Sequence, residues 1–244
     1  MTLLRVNGLR KSFKGIAAVN DVSFEVAEGS ILGVIGPNGA GKTTMFNLVA
    51  GAMKPDSGTV HLGDQDITGQ PPHVIAAAGM ARTFQLTRPF HSMSVLDNVT
   101  VAVLAGGGSR RRARDTAADV IERVGLGLRR DSPSESLPTA ALKRLELARA
   151  LAIKPKVLLL DEVLAGLVPA ERSPVMDLLE HMRNAEGITL VFVEHIMAAV
   201  MRLSDSVMVL DLGEVLTTGS PEEVTRDPRV IEAYLGEEPP HAEA

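Results

Sequence analysis

A run of small residues that ends in Lys-Thr is the segment whose chemistry is best defined. Residues 36–43, GPNGAGKT, fit the pattern G-x-x-x-x-G-K-[ST]. Their glycines allow backbone N–H groups to converge on a polyphosphate, and a helix that follows presents its positive end to the same charge. Lys42 would reach the β- and γ-phosphates, and the Thr43 hydroxyl would coordinate magnesium. The other interpretation is a glycine-rich turn that happens to contain lysine.

The predicted nucleotide-binding residues are Gly36, Asn38, Gly39, Ala40, Gly41, Lys42, Thr43 and Thr44.

Two acids provide a second site. Asp161 and Glu162 end the apolar run Val157–Leu160, which places both carboxylates at the C-terminal edge of a parallel strand. Asp161 is suited to hold magnesium, and Glu162 to polarise an attacking water as general base. In isolation, an acidic pair that ends a strand and caps the next helix is the better interpretation. The phosphate-binding pattern reverses that preference.

The elements that must position these residues can be read from hydrophobic patterning. Short β-type runs bounded by turn residues predict an N-terminal antiparallel layer that leads into a central sheet. Later runs are apolar throughout, as in parallel strands covered by helices on both faces. The predicted strands are Leu3–Leu9, Val22–Val26, Ile31–Ile35, Gly58–Leu62, Val157–Asp161, Thr189–Val193 and Ser206–Leu210, and a helix is predicted over Thr44–Ala50.

The composition and hydrophobic periodicity of the sequence change over residues 86–150. A glycine run and an arginine run precede a helical repeat in which Ala117, Val120, Ile121 and Val124 share a face. We expect an inserted helical subdomain here, within one domain over residues 1–237. Residues 238–244 lack periodicity and are expected to form a flexible tail.

Composition excludes several classes of protein. The chain has 244 residues, a net charge of −5 and no cysteine, which excludes disulfides and thiolate metal sites and favours a reducing compartment. The negative charge argues against broad attraction to nucleic acid, so no such partner is expected. Residues 1–14 lack a secretory signal, and the apolar runs are far shorter than the roughly 20 residues that cross a bilayer. Any membrane link is therefore expected to come through a partner.

Several motifs in order make a family resemblance specific. GPNGAGKTT, RTFQ, LELARAL, VEH and the closing DPRVIEAYLGEE lie in the order found in ABC ATPases. The chain resembles the larger ATP-binding subunit of branched-chain amino acid and urea importers over nearly its whole length. The resemblance implies ATP and Mg²⁺ as ligands, ATP hydrolysis that drives uptake of a small polar solute, and a location at the cytoplasmic face of the membrane. Implied partners are permease subunits, a second ATPase subunit and, indirectly, a solute-binding protein.

The same resemblance implies roles for three further residues. Gln85 matches the glutamine that contacts magnesium and water and links the catalytic centre to the permease, although a glutamine after a strand is otherwise a surface residue. His195 matches the histidine that contacts the γ-phosphate, although such a residue is often structural. Phe13 lies where the family places an aromatic ring against adenine, with core packing as the alternative.

The sequence departs from the family where one subunit closes over the ATP of the other. In the stretch Leu137–Arg144, Ala140 replaces a glycine and Leu142 a glutamine, and Val168 stands where Asn or Asp reaches across the dimer. An alanine methyl obstructs backbone approach to phosphate, and leucine donates no hydrogen bond. We therefore favour an asymmetric heterodimer, in which this chain's phosphate loop forms the better site, over a homodimer.

A competing hypothesis from another class is an ATP-gated clamp or regulatory subunit with weak turnover, motivated by Ala140. A GTPase is less favoured because the sequence has no N-K-x-D element.

Overall fold

The computed structural model describes residues 1–83 and 89–235. The strands of this part are β1 (Thr2–Phe13), β2 (Ile16–Ala27), β3 (Ile31–Ile35), β4 (Ser57–Leu62), β5 (Gln65–Asp66), β6 (Met80–Arg82), β7 (Val157–Asp161), β8 (Thr189–Val193), β9 (Ser206–Asp211) and β10 (Glu214–Gly219). The α-helices are α1 (Lys42–Val49), α2 (Pro72–Ala78), α3 (Val95–Ala105), α4 (Ala113–Arg123), α5 (Thr139–Leu151), α6 (Pro169–Glu186), α7 (Met197–Leu203), α8 (Pro221–Arg226) and α9 (Pro228–Leu235).

Two sheets form the scaffold. One is antiparallel with strand order β2-β1-β4-β5, and the other has the order β10-β9-β3-β8-β7-β6. In the second sheet β9, β3, β8, β7 and β6 are parallel, and β10 pairs antiparallel with β9 at one edge. Every residue of β3, β7 and β8 is buried, as parallel strands covered on both faces require. The carboxyl ends of these strands meet at one edge, where open α/β sheets bind ligands.

The first helix lies between the two sheets. Its side chains Met45 and Phe46 are buried in one hydrophobic cluster with Leu4 of β1 and Val34 of β3. Because this cluster draws on both sheets, the packing of α1 fixes the antiparallel layer against the central sheet. The residue that begins α1, Lys42, is thereby held at the sheet edge.

Helices α3, α4 and α5 form the predicted helical insertion. Ala117, Val120, Ile121 and Val124 are all buried, which confirms the predicted apolar face of α4. The bounds predicted for the subdomain, 86–150, stay a prediction because residues 84–88 lie outside the described part, and so do residues 238–244 of the predicted tail.

The α/β fold with an antiparallel layer and inserted helices is confirmed. Among the described residues, no helix is both long and apolar enough to span a bilayer.

Candidate active site

The phosphate-binding loop connects β3 to α1 and passes close to two backbone segments. Gly36 has φ 150°, and a Cβ there would lie 2.1 Å from the Leu210 carbonyl oxygen of β9. Gly41 has φ 98°, and a Cβ there would lie 2.3 Å from the carbonyl oxygen of Ala18 on β2. Both positions need glycine because the backbone conformation and the space exclude a side chain. The loop is therefore walled by one strand from each sheet.

Lys42 crosses the inside of the loop. Its side chain is buried, and Nζ donates to the carbonyl oxygens of Gly36 at 2.6 Å and Pro37 at 2.8 Å. A lysine held this way places its ammonium among the backbone groups that would surround a phosphate.

A cavity of about 290 Å³ opens over the loop and joins it to the second predicted site. Its lining residues are Ala18, Asn38, Gly39, Ala40, Gly41, Lys42, Thr43, Thr44, Glu162 and His195. The structure thus brings Glu162 and His195, which are far apart in sequence, to one space beside the phosphate loop.

Asp161 lies at the end of β7 in a buried ion pair. Its Oδ2 accepts from Arg82 Nη2 at 2.9 Å, and Arg82 Nη1 donates to Asn47 Oδ1 of α1 at 2.6 Å. The other carboxylate oxygen, Oδ1, is buried without a hydrogen-bond partner in the structure. A buried carboxylate oxygen without a partner is costly in isolation and is a ligand suited to a hard cation.

These residues fit a magnesium ion that is shared with phosphate. In the described residues no group of three or more His, Cys, Asp or Glu side chains could hold a metal ion. Mg²⁺ usually needs only one or two protein ligands and takes the rest from phosphate and water. Asp161 and the Thr43 hydroxyl supply ligands of that kind.

Glu162 and His195 form a polar pair at the cavity wall. His195 Nε2 lies 3.1 Å from Glu162 Oε1, which is within hydrogen-bond distance. The backbone of Glu162 is left-handed with φ 49°, which is uncommon for a residue with a side chain. Strained conformations of this kind are concentrated at functional sites.

Glu194 is a buried acid that the sequence analysis did not single out. It is 2% exposed and accepts from the Leu164 backbone N–H at 2.8 Å. Burial raises its pKa to about 7, a direction that the charge of Glu162 supports, whereas backbone hydrogen bonds and Lys143 oppose it. Its sequence signal was an acid directly after the apolar strand β8, the same signal that identified Asp161.

Arg82 was also missed as a site residue, although it stands in the RTFQ motif. Its side chain is 8% exposed, so the charge it places next to Asp161 is nearly removed from water.

Three of the predicted site residues in the described part, Phe13, Gly36 and Asp161, are not among the residues that line this cavity. Phe13 is 44% exposed at the end of β1, with Lys11 Nζ 5.9 Å from its ring centroid. It pairs with Ile16 across the β1–β2 hairpin, and β2 continues to Ala18 at the cavity, so its adenine role stays a prediction. Gln85 lies outside the described residues, and its roles as metal ligand and catalytic residue also stay predictions.

Two family models match the sequence. One, described as "ABC transporter", matches residues 19–165, and one described as "Branched-chain amino acid ATP-binding cassette transporter" matches residues 214–239.

Similar proteins match over nearly their whole length. The high-affinity branched-chain amino acid transport ATP-binding protein LivG of Salmonella typhimurium is 41% identical, with 96% of this chain and 98% of the relative covered. BraF of Pseudomonas aeruginosa, with the same description, is 38% identical at the same coverage. The lipopolysaccharide export system ATP-binding protein LptB of Acidithiobacillus ferridurans is 36% identical, with 97% and 98% covered.

Solved structures match the fold closely. A nucleotide-free ATP-binding cassette from an ABC transporter superposes with a TM-score of 0.90 at 30% identity, covering 97% of this chain and 100% of the other. A cassette in its ADP conformation has a TM-score of 0.89 at the same identity and coverage. The phosphate loop, the strand-end acids and these matches agree, and the chain belongs to the ATP-binding subunits of the ABC transporter family.

Proposed function

We propose that this chain hydrolyses ATP to drive uptake of a branched-chain amino acid, or a similar small polar solute, through a separate permease. The observation that carries the proposal is the single cavity that joins the Lys42 loop to Glu162 and His195. Support for the solute class comes from the relatives LivG and BraF and from the match over residues 214–239.

The mechanism assigns each residue a role that its surroundings support. Lys42 and the backbone N–H groups of the loop bind the β- and γ-phosphates, because residues 38–44 line the cavity at the start of α1. Glu162 accepts a proton from the attacking water as general base. His195, which lines the same cavity, stabilises negative charge on the γ-phosphate in the transition state.

Magnesium would be held by Thr43, Asp161 and Gln85, and it would neutralise charge on the β- and γ-phosphate oxygens. Arg82 orients Asp161 by binding one of its two oxygens, which leaves the other available as a ligand.

A groove beside the nucleotide site is the proposed binding site for the permease. It is a cavity of about 430 Å³ between α2, α3 and α5, with Ile75, Val101, Ala105 and Phe90 in its largely apolar lining. Phe90 is 46% exposed, and Arg149 lies over its ring. The proposed occupant is a permease segment with an apolar face, which would hold this chain at the cytoplasmic side of the membrane. Arg82 also lines the groove, so the occupant would lie near a residue that contacts Asp161.

A second ATPase subunit is the other proposed partner. Ala140 and Leu142 lie on the first turn of α5, where both pack partly against the core, and Val168 is 57% exposed before α6. None of the three carries a side chain that could bind a partner's phosphate. These departures favour a heterodimer in which this chain contributes the better phosphate loop, while its own Leu137–Arg144 stretch binds the partner's ATP more weakly.

Replacement of Glu162 by glutamine tests the hydrolytic function. E162Q keeps the shape but removes the base, so we expect Mg-ATP affinity to stay near that of the wild type while turnover falls about 100-fold or more. Binding would be measured by calorimetry and turnover by phosphate release from the complex with permease and partner subunit.

The matched control is Glu28→Gln, the same change at an exposed acid outside the cavity lining, which should retain wild-type turnover. Normal turnover by E162Q would contradict the assignment.

The altered stretch at Ala140 motivates the second candidate, a nucleotide-gated clamp. That candidate predicts ATP binding by the wild-type complex without steady-state phosphate release, so the same assay separates the two.

A further inference from the structure

Glu194 occupies an unusual place between two parts of the catalytic machinery. It directly follows β8 and directly precedes His195, and alternation along the extended chain sends neighbouring side chains to opposite sides. The His195 side chain lines the cavity, whereas that of Glu194 is buried behind it. The mechanism above gives this carboxylate no role.

The Glu194 carboxylate contacts the turn that leaves β7. Its Oε1 accepts from the Leu164 backbone N–H at 2.8 Å, and it also accepts from the backbone N–H of His195. The turn contains Glu162, whose left-handed backbone is held by its N–H donating to the Val193 carbonyl at 3.0 Å. One buried side chain thus contacts the backbone of the segment that carries the base and the backbone of its histidine partner.

A second charged side chain supports the turn from the helical subdomain. Lys143 of α5 is buried, and its Nζ donates to the Glu162 carbonyl oxygen at 3.3 Å. Ala165 N–H donates to the same oxygen at 3.1 Å. The turn is therefore fixed by a carboxylate on its N–H side and by an ammonium on its carbonyl side.

We propose that Glu194 is a positioning residue that holds the turn from Glu162 to Leu164 so that the Glu162 carboxylate stays beside His195 at the cavity. This inference rests on the proposed hydrolytic function and extends it to a residue that does not line the cavity. The left-handed backbone at Glu162 needs such support, because unsupported chains leave that region readily. A buried carboxylate that accepts hydrogen bonds from two backbone N–H groups provides this support for the backbone.

Three variants test the inference. E194A removes both acceptors and should lower kcat about 10- to 100-fold, because small displacements of a catalytic group cost that much. E194Q keeps an acceptor for the Leu164 N–H and should stay within about fivefold of the wild type. T189A is the matched control: Thr189 is equally buried on β8, and its Oγ1 accepts from the Gly29 N–H at 2.8 Å, away from the cavity. It should stay within about twofold.

Affinity for Mg-ATP should be unchanged in all three variants, because Glu194 does not line the cavity. A kcat of wild-type size in E194A, an equal loss in T189A, or a parallel loss of ATP affinity would each overturn the proposal.

Amide hydrogen exchange of residues 161–166 in nucleotide-free protein gives a readout independent of activity. Exchange should accelerate in E194A and stay at the wild-type rate in T189A, and equal rates in all proteins would overturn the proposal. A wild-type complex that releases no phosphate would contradict the proposed function instead, and the exchange measurement would still decide the role of Glu194.

Discussion

Adjacent acids in this site have different surroundings, and this difference separates their roles. Asp161 is 2% exposed and paired with Arg82, so its charge is compensated inside the protein. Glu162 is 19% exposed and faces the cavity beside His195. A compensated, buried carboxylate is suited to hold a cation, whereas a carboxylate at the cavity wall can accept a proton from water. The two residues share a strand end and differ in the direction in which their side chains leave it.

Glu194 makes protein stability dependent on pH. Burial raises its pKa from the ordinary 4.5 to about 7, so between these values the folded chain holds a proton that the unfolded chain has released. Its contribution to the free energy of unfolding therefore falls as pH rises through this window. Among the described residues, the charge of Glu162 raises the pKa of Glu194 further and the charge of Lys143 lowers it.

E194Q removes this titration. The difference in melting temperature, E194Q minus wild type, should be a few degrees more positive at about pH 8 than at about pH 5. Thermal unfolding of both proteins at the two pH values checks this. E28Q is the control, and its difference in melting temperature from the wild type should be the same at both pH values. An E194Q offset that is the same at both pH values would contradict the prediction.

At the scale of elements, strands buried on both faces could be predicted from sequence to the residue. The predicted bounds of Ile31–Ile35, Val157–Asp161 and Thr189–Val193 agree with β3, β7 and β8, because uniform apolar runs end where polar residues begin. The first strand was predicted as Leu3–Leu9 but extends to Phe13, because pairing with β2 continues through polar residues with several register shifts. Such pairing leaves no hydrophobic signal in the strand itself.

Half-exposed edge strands and the partners of individual side chains could not be predicted from the sequence. β10 has no buried residue and was not predicted, since it is held by its pairing with β9. The roles of Lys42, Asp161 and Glu162 could be predicted from their residue types and spacing. The ion pair between Arg82 and Asp161 could not, because it joins β6 to β7 across 79 positions of sequence. The contact of Glu194 with Leu164 likewise depends on β8 lying beside β7. Long-range juxtapositions of this kind follow from sheet order, which the local patterns do not contain.

The first turn of α5 provides a prediction at the same scale. A140G combined with L142Q restores the two family residues, so phosphate release by the complex with the second ATPase subunit should about double as the partner's ATP site becomes active.

The matched control is A170G, the same loss of a methyl group on the first turn of α6, which should leave turnover unchanged. No gain in the double variant, or strong hydrolysis by the isolated wild-type homodimer, would contradict the asymmetric heterodimer.

At the scale of the whole molecule, the groove between α2, α3 and α5 should mediate attachment to the permease. V101D places a charge on its apolar wall, so copurification of the permease should fall about tenfold or more while Mg-ATP affinity of the isolated subunit is retained. L128D is the control, because Leu128 is fully exposed and is not among the residues that line the groove. Equal copurification of the permease with V101D and with the wild type would exclude this groove as the permease-binding site.

One of the two walls of the phosphate loop is made of residues that lie about 170 positions later in the sequence. Gly36 lies against the Leu210 carbonyl, and the Ala40 carbonyl accepts from the Gly213 N–H at 3.1 Å. During synthesis the ribosome releases the loop long before this wall exists. ATP can stabilise only a chain that already binds it. The loop therefore gains its complete surroundings only after β9 has joined the central sheet, and ATP is expected to stabilise the chain from that point onward.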